Sequence, residues 1–160
     1  MKKIKTNASR LLDQQNISYS ILLYETKDGK IDGLSVAEKT DQNPDHVFKT
    51  LVTQGSSKQH YVFLVRVADE LHLKNAAKAV QEKQLTMIPV KDIQSTTGYM
   101  RGGCSPIAMK RTFPTILDES ALHQNEIIIS GGKIGVQLKL SVESLIQLTQ
   151  AKTAQIAKEK

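Results

Sequence analysis

Two glycine-rich windows place the tightest limits on the shape of this chain. One is Gly98-Tyr99-Met100-Arg101-Gly102-Gly103-Cys104-Ser105-Pro106 and the other is Ser130-Gly131-Gly132-Lys133-Ile134-Gly135. They hold six of the nine glycines (98, 102, 103, 131, 132 and 135). Glycine relaxes backbone sterics and lets main-chain N–H groups approach a ligand closely. Either window alone reads as a tight turn at a strand end. Together they point to a pocket built partly from backbone.

The remaining elements follow from periodicity and end signals. A short helix is expected over Ser9–Gln15 and a strand over Ile17–Tyr24, followed by a polar loop over 27–33. Ser35, with Glu38 three residues on, reads as a capping box for a helix over Val36–Lys39. Asn43-Pro44-Asp45 reads as a second helix start with Pro44 near the first position. Strands are expected over Val47–Thr53 and His60–Val67, with Gly55-Ser56-Ser57-Lys58 as their turn. An amphipathic helix follows over Leu73–Val80. Next come a short strand over Leu85–Val90 and a helical turn over Val90–Ser95 leading into the first glycine window. Strands at Phe113–Leu117, Glu126–Ser130 and Val136–Leu140 precede a last helix capped by Ser141. The polar, basic tail after Gln150 is expected to fray. This order lacks regular βαβ alternation, so it favours an α+β fold with a mixed, strongly twisted sheet over a doubly wound parallel one. With 160 residues and no linker-like segment, residues 1–160 form one domain.

Composition excludes several classes. The single cysteine, Cys104, rules out an intrachain disulfide and fits a reducing cytoplasm. No apolar run is long enough to span a membrane, and Met1-Lys2-Lys3 leads into no secretory apolar region. No His/Cys/carboxylate set has metal-ligand spacing, and neither GxxxxGK[ST] nor GxGxxG occurs. No cofactor is therefore expected. The net charge of +6 is compatible with an anionic partner.

Four groups of residues are chemical candidates. Lys49 lies where a helical start hands over to an apolar strand. It is either a cation that can hold a carbonyl oxygen or phosphate, or a strand-edge lysine in solvent. Cys104 follows two glycines. It is either a nucleophile or a small buried hydrophobe, and His46, His60, His72 and His123 are all far from it in sequence. Ser-Gly-Gly-Lys-Ile-Gly is only loosely a phosphate cradle. Arg101, Lys110, Arg111 and Lys133 form either a positive rim for a nucleic-acid backbone or a scattered basic surface.

Taken in order and spacing, three blocks resemble the YbaK/EbsC family, free-standing relatives of the editing domain inserted in bacterial prolyl-tRNA synthetases. The blocks are Phe48-Lys49-Thr50-Leu51, residues 95–106, and 130–135, and the likeness runs over nearly the whole chain. Asn43-Pro44-Asp45-His46-Val47 and Pro114-Thr115-Ile116-Leu117-Asp118 also belong to it. The resemblance implies an α+β fold whose mixed sheet curls toward a barrel. It implies hydrolysis of the ester between a mischarged amino acid and tRNA, Cys-tRNA(Pro) in the YbaK branch, in the cytoplasm. Alternatives are Ala-tRNA(Pro) or another small aminoacyl-tRNA as substrate, or a non-catalytic module binding tRNA or a nucleotide. Partners implied are the acceptor end of tRNA(Pro) and prolyl-tRNA synthetase.

By the same resemblance the catalytic set is Lys49, Gly102, Gly103, Ser130 and Gly131. Tyr24, Thr50, Met100, Pro106, Gly132 and Gln137 are the expected substrate contacts, and the positive-rim reading makes Arg101, Lys110, Arg111 and Lys133 the expected contacts to the tRNA backbone. The implied nucleophile is the substrate's own cysteine thiol, which closes a small ring and expels the tRNA without a protein nucleophile or metal. Three positions depart from the family pattern. Residues 25–34 lack its aromatic pocket residue, Gln137 stands where the YbaK branch has aspartate, and Cys104 occupies an apolar position.

Overall fold

The structure is a computed structural model, and it describes residues 5–158. The chain opens with α1 (Asn7–Gln14), which Thr6 and Ser9 close with a reciprocal capping box, and β1 (Tyr19–Leu23). Helix α2 (Gly33–Lys39) starts two residues earlier than its predicted cap. Its N-cap is Asp32, whose carboxylate accepts from the Ser35 N–H at 3.1 Å and from the Ser35 hydroxyl at 2.7 Å. Asp32 thus outcompetes Ser35, because an ionised oxygen is the stronger acceptor for orphan helix N–H groups. Asn43 caps a single 3₁₀ turn, Pro44–His46, rather than a longer helix.

Next come β2 (Phe48–Gly55), β3 (His60–Arg66), α3 (Leu73–Ala79) and β4 (Leu85–Met87). The predicted strand over 85–90 stops early. Ile88 N–H still donates to Val52 O (3.2 Å), but Pro89 has no N–H to continue, and a 3₁₀ turn follows. Helix α4 (Ile93–Thr97) ends at Gly98, which adopts the left-handed conformation of a helix C-cap (φ +86°). Strands β5 (Thr115–Asp118), β6 (Glu126–Lys133) and β7 (Val136–Ser141) lead to α5 (Val142–Thr149), capped by Ser141 as expected.

The tail does not fray. Residues Lys152–Ala154 form β8, parallel to β5, and Ile156 is fully buried. The buried Asp118 carboxylate accepts from Ser120, Ile156 and Ala157 N–H groups at 3.0–3.1 Å, which fastens the tail to the core. A local reading sees only the tail's polar surface and misses this long-range partner.

The strands divide into two open sheets: an antiparallel one in the order β1-β7-β6, and a five-stranded mixed one in the order β4-β2-β3-β5-β8. Neither closes, so the expected barrel-like sheet is replaced by two sheets whose backbones, among the described residues, pair at one point. That point is an isolated parallel bridge between Val47 and Ile128. The largest core cluster lies around this junction. It joins Phe48, Leu64 and Leu117 of one sheet to Ile127, Ile129, Leu138 and Leu140 of the other, with Leu12 of α1 and Leu145 of α5. A second cluster packs α3 against Phe63, Val65, Leu85 and Ile116. A small third cluster, Ala37, Val47, Val67 and Ile128, lies at the junction itself.

Candidate active site

Beyond the Val47–Ile128 bridge β2 and β6 pair no further, leaving a fork in the ladder, and a cleft of about 690 Å³ lies beside it. Local sequence explains why the fork stays open. Opposite Lys49–Val52 no strand pairs with the outer edge of β2, because β4 covers only Thr53–Gly55. Strand β6 loses its register after Ser130, where a bulge absorbs Gly131 and Gly132 before pairing resumes at Lys133.

The glycines draw the first window against this bulge. A Cβ on Gly103 would lie 2.9 Å from Ile134 N and 3.0 Å from the Lys133 carbonyl carbon, so only glycine lets the two backbones meet. Gly132 has φ +94°, and a Cβ there would press on the Tyr99 ring at 2.9 Å. The Tyr99 hydroxyl donates to Ile107 O at 2.6 Å and anchors the window. The two windows therefore converge in space.

Seven of the sequence-predicted residues line the cleft: Lys49, Thr50, Tyr24, Arg101, Gly102, Ser130 and Gln137. The others lie outside its lining. Gly103, Gly131 and Gly132 act through backbone packing, and Pro106 is buried. Met100 is exposed, as are Lys110, Arg111 and Lys133, so of the four rim cations only Arg101 reaches the cleft. Sequence reading passed over Ile31, Asp32 and Gly33 on one wall, and Met87, Ile88, Val90 and Ile93 on another. The available signal was Gly33, where a Cβ would fall 2.3 Å from Val67 Cγ1; glycine there seats α2 against the junction.

The polar groups of the cleft are unusual in lacking partners. Thr50 Oγ1, Ser130 Oγ and Gln137 Oε1 are buried with no hydrogen-bond partner, and Gln137 is only 7% exposed. Buried polar atoms are rarely left so, since each carries a desolvation penalty. Ser130 and Gln137 face each other across the β6–β7 ladder. No hydrogen bond or ion pair among the described residues engages the Lys49 amine. Strand alternation sets Lys49 on the β2 face opposite Thr50, and the cleft reaches both faces across the unpaired edge. The amine's field also reaches Glu70, whose carboxyl is held below its usual range chiefly by Lys158 and less by Lys49.

Two ionisable groups in the lining are already committed. Asp32 is held below the usual carboxylate range by its hydrogen bonds to Ser35, so it serves as a helix cap rather than a proton acceptor. Burial pushes the Cys104 thiol up to about 11, with a small opposing effect from Thr97. At neutral pH it stays protonated and is a poor nucleophile.

Such an arrangement supplies cations, main-chain donors and neutral acceptors around a small cavity. It offers positioning and charge stabilisation rather than a protein nucleophile. Residues 34–148 match the family model described as the aminoacyl-tRNA editing domain. The chain belongs to that family, one of aminoacyl-tRNA editing and deacylation. Across 152 residues it is 41% identical to EbsC of Enterococcus faecalis (strain ATCC 700802 / V583), whose name is that of a Cys-tRNA(Pro)/Cys-tRNA(Cys) deacylase. The alignment covers 95% of this chain and 93% of that one. A crystal structure named for a trans-editing enzyme for prolyl-tRNA synthetase superposes with a TM-score of 0.82 at 22% identity, over 98% of this chain and 100% of that one. A crystal structure of a hypothetical protein superposes at 0.87 with 16% identity, over 96% and 100%. At these identities the two structures establish the editing-domain fold alone. Among the described residues no helix is long and apolar enough to cross a membrane.

Proposed function

We propose that this editing-family protein hydrolyses the ester of Cys-tRNA(Pro) in trans, at the β2–β6 fork. The observation that carries this reading is the set of unpartnered buried atoms on Thr50, Ser130 and Gln137 in the same cleft as Lys49. They form a polar site for a small group that supplies the missing hydrogen bonds. The name of the 41%-identical relative supports cysteine as that group.

An aminoacyl ester is already activated, so positioning supplies much of the catalysis. The substrate's own thiol attacks its ester carbonyl carbon. The C–O bond to the ribose breaks, the thiol proton passes to the leaving hydroxyl, and water then opens the thiolactone to free cysteine. Main-chain N–H groups at Gly102 and Ser130 hold the carbonyl oxygen as charge develops on it. Lys49 holds the ester oxygens or the phosphate of the terminal nucleotide, and Arg101 meets the backbone at the mouth without reading sequence. Cys104 stays protonated and leaves the attack to the substrate sulfur. Prolyl-tRNA synthetase is the natural source of the mischarged tRNA, and docking on it would raise the local substrate concentration in the cytoplasm.

The deciding experiment measures deacylation of Cys-tRNA(Pro) and Ala-tRNA(Pro) side by side. Faster loss of cysteine is expected. Preference for alanine would replace the substrate and remove the thiol from the mechanism. Binding of tRNA with no turnover of either would make the protein a binding module.

A further inference from the structure

The main chain at the fork has a direction that the side chains alone do not reveal. On β2, Val67 N–H donates to Val47 O and Gly55 N–H donates to Gln59 O, both at 2.9 Å. With the printed register, the odd-numbered residues of β2 therefore point their main-chain groups at β3. Even-numbered residues point theirs the other way, which is why Ile88 N–H reaches Val52 O on the outer side. Thr50 shares that parity, and no strand pairs with β2 opposite it. On β6 the same argument holds. Val142 N–H donates to Asn125 O (3.0 Å), so Ile127 and Ile129 face β7. Ser130 turns its N–H and C=O away from β7, toward the edge that bridges to β2 at Ile128.

Thr50 and Ser130 thus present unpaired strand edges to the gap, beside their own unpartnered hydroxyls and Gln137 Oε1. In an antiparallel hydrogen-bonded pair, one residue gives its N–H and C=O to the C=O and N–H of the residue opposite. An α-aminoacyl ester carries this same complement, an amine donor and a carbonyl acceptor on either side of one carbon. We infer that the fork reads the aminoacyl group as a single residue of a missing strand. Thr50 C=O accepts from the α-amine, and Thr50 N–H donates to the ester carbonyl beside the Gly102 and Ser130 donors. This recognition selects the α-aminoacyl class whatever the side chain, and leaves side-chain choice to the cleft walls. It uses neutral acceptors, because the carboxylate in the lining, Asp32, is occupied as a helix cap. The inference rests on the deacylase reading above and names the chemical class that its site recognises.

The test uses two stable amides of 3′-amino-3′-deoxyadenosine, one cysteinyl and one 3-mercaptopropionyl. They share the thiol and differ only in the α-amine. Dissociation constants are measured for the intact protein, and backbone ¹⁵N–¹H shifts are followed at Thr50 and Ser130. The desamino amide is expected to bind about tenfold to a hundredfold more weakly, because its loss strands a buried acceptor. Both backbone amides are expected to shift with the cysteinyl probe. Equal affinities, or shifts that spare Thr50 and Ser130, overturn the inference while leaving deacylation of Cys-tRNA(Pro) untouched. Amine-dependent binding by a protein that deacylates no tRNA overturns the deacylase reading and leaves the recognition standing.

Discussion

The β2–β6 fork and the β5–β8 tail clamp use similar materials to opposite ends. At the clamp, one buried carboxylate, Asp118, accepts from three main-chain N–H groups, and the chain closes on itself. Beside it only the Ser120 hydroxyl lacks a partner. At the fork, three buried side-chain oxygens have no partner, and no strand pairs with the outer edge of β2 at Thr50. A polar group satisfied from within is scaffold. A polar group buried and left open is a place held for something else. The difference is what singles out the fork as the candidate site.

Substitutions should separate the two regions cleanly. The largest effect is expected from Lys49→Ala, which should lower deacylation more than about a hundredfold with an unchanged melting curve. Retained activity would remove this amine from the chemistry. Asp118→Ala should do the reverse. It leaves buried N–H groups stranded and should cost about 2–3 kcal/mol of stability in denaturant titration, with kcat/KM preserved while folded. Gln137→Leu sharpens the contrast. It deletes a buried oxygen that has no partner, so stability should hold or rise by up to about 1 kcal/mol while kcat/KM falls about tenfold. A simultaneous loss of stability would show that this amide belongs to the scaffold.

Smaller effects concern the mouth and the thiol. Each phosphate contact steepens the fall of tRNA affinity with salt, so Arg101→Ala should flatten the log–log slope by about one. Cys104→Ala should keep nearly full activity; a folded but inactive variant would revive a protein nucleophile. Alkylation of Cys104 should be slow near neutrality and accelerate as pH approaches about 11. Its pKa is raised in the fold, so the neutral thiol contributes stability below the ordinary thiol range. That contribution is lost as pH climbs toward about 11.

Sequence reading succeeded where chemistry is local. The strand expected over Val47–Thr53 and found at Phe48–Gly55, and the cap at Ser141, each depend on a few neighbours. Motif order set Lys49 and Thr50 beside the second glycine window, and with Ser130 they line one cleft. Sequence reading failed where a distant partner decides. The tail is ordered because Asp118, some 38 residues earlier, captures Ile156 N–H. The cap of α2 moved to Asp32 because two acceptors competed within one loop. The strands form two open sheets, since register and pairing are properties of contacts that no single segment contains. Within the site, the wall formed by Met87, Ile88, Val90 and Ile93 was hidden for the same reason, as ordinary apolar residues placed there by β4 and Pro89.

One feature of the junction adjoins the cavity directly, since Val67 belongs to both. The backbones of the two sheets join at the isolated Val47–Ile128 bridge, with Ala37 and Val67 packed against it. The bridge ties the sheets together beside the cleft, and this aliphatic cluster packs behind it. Tolerance for bulkier or slimmer acyl groups can therefore drift through changes such as Val67→Ile or Ala37→Gly. A panel of mischarged tRNAs presented to both variants would show whether the packing behind the cleft helps to choose the acyl group.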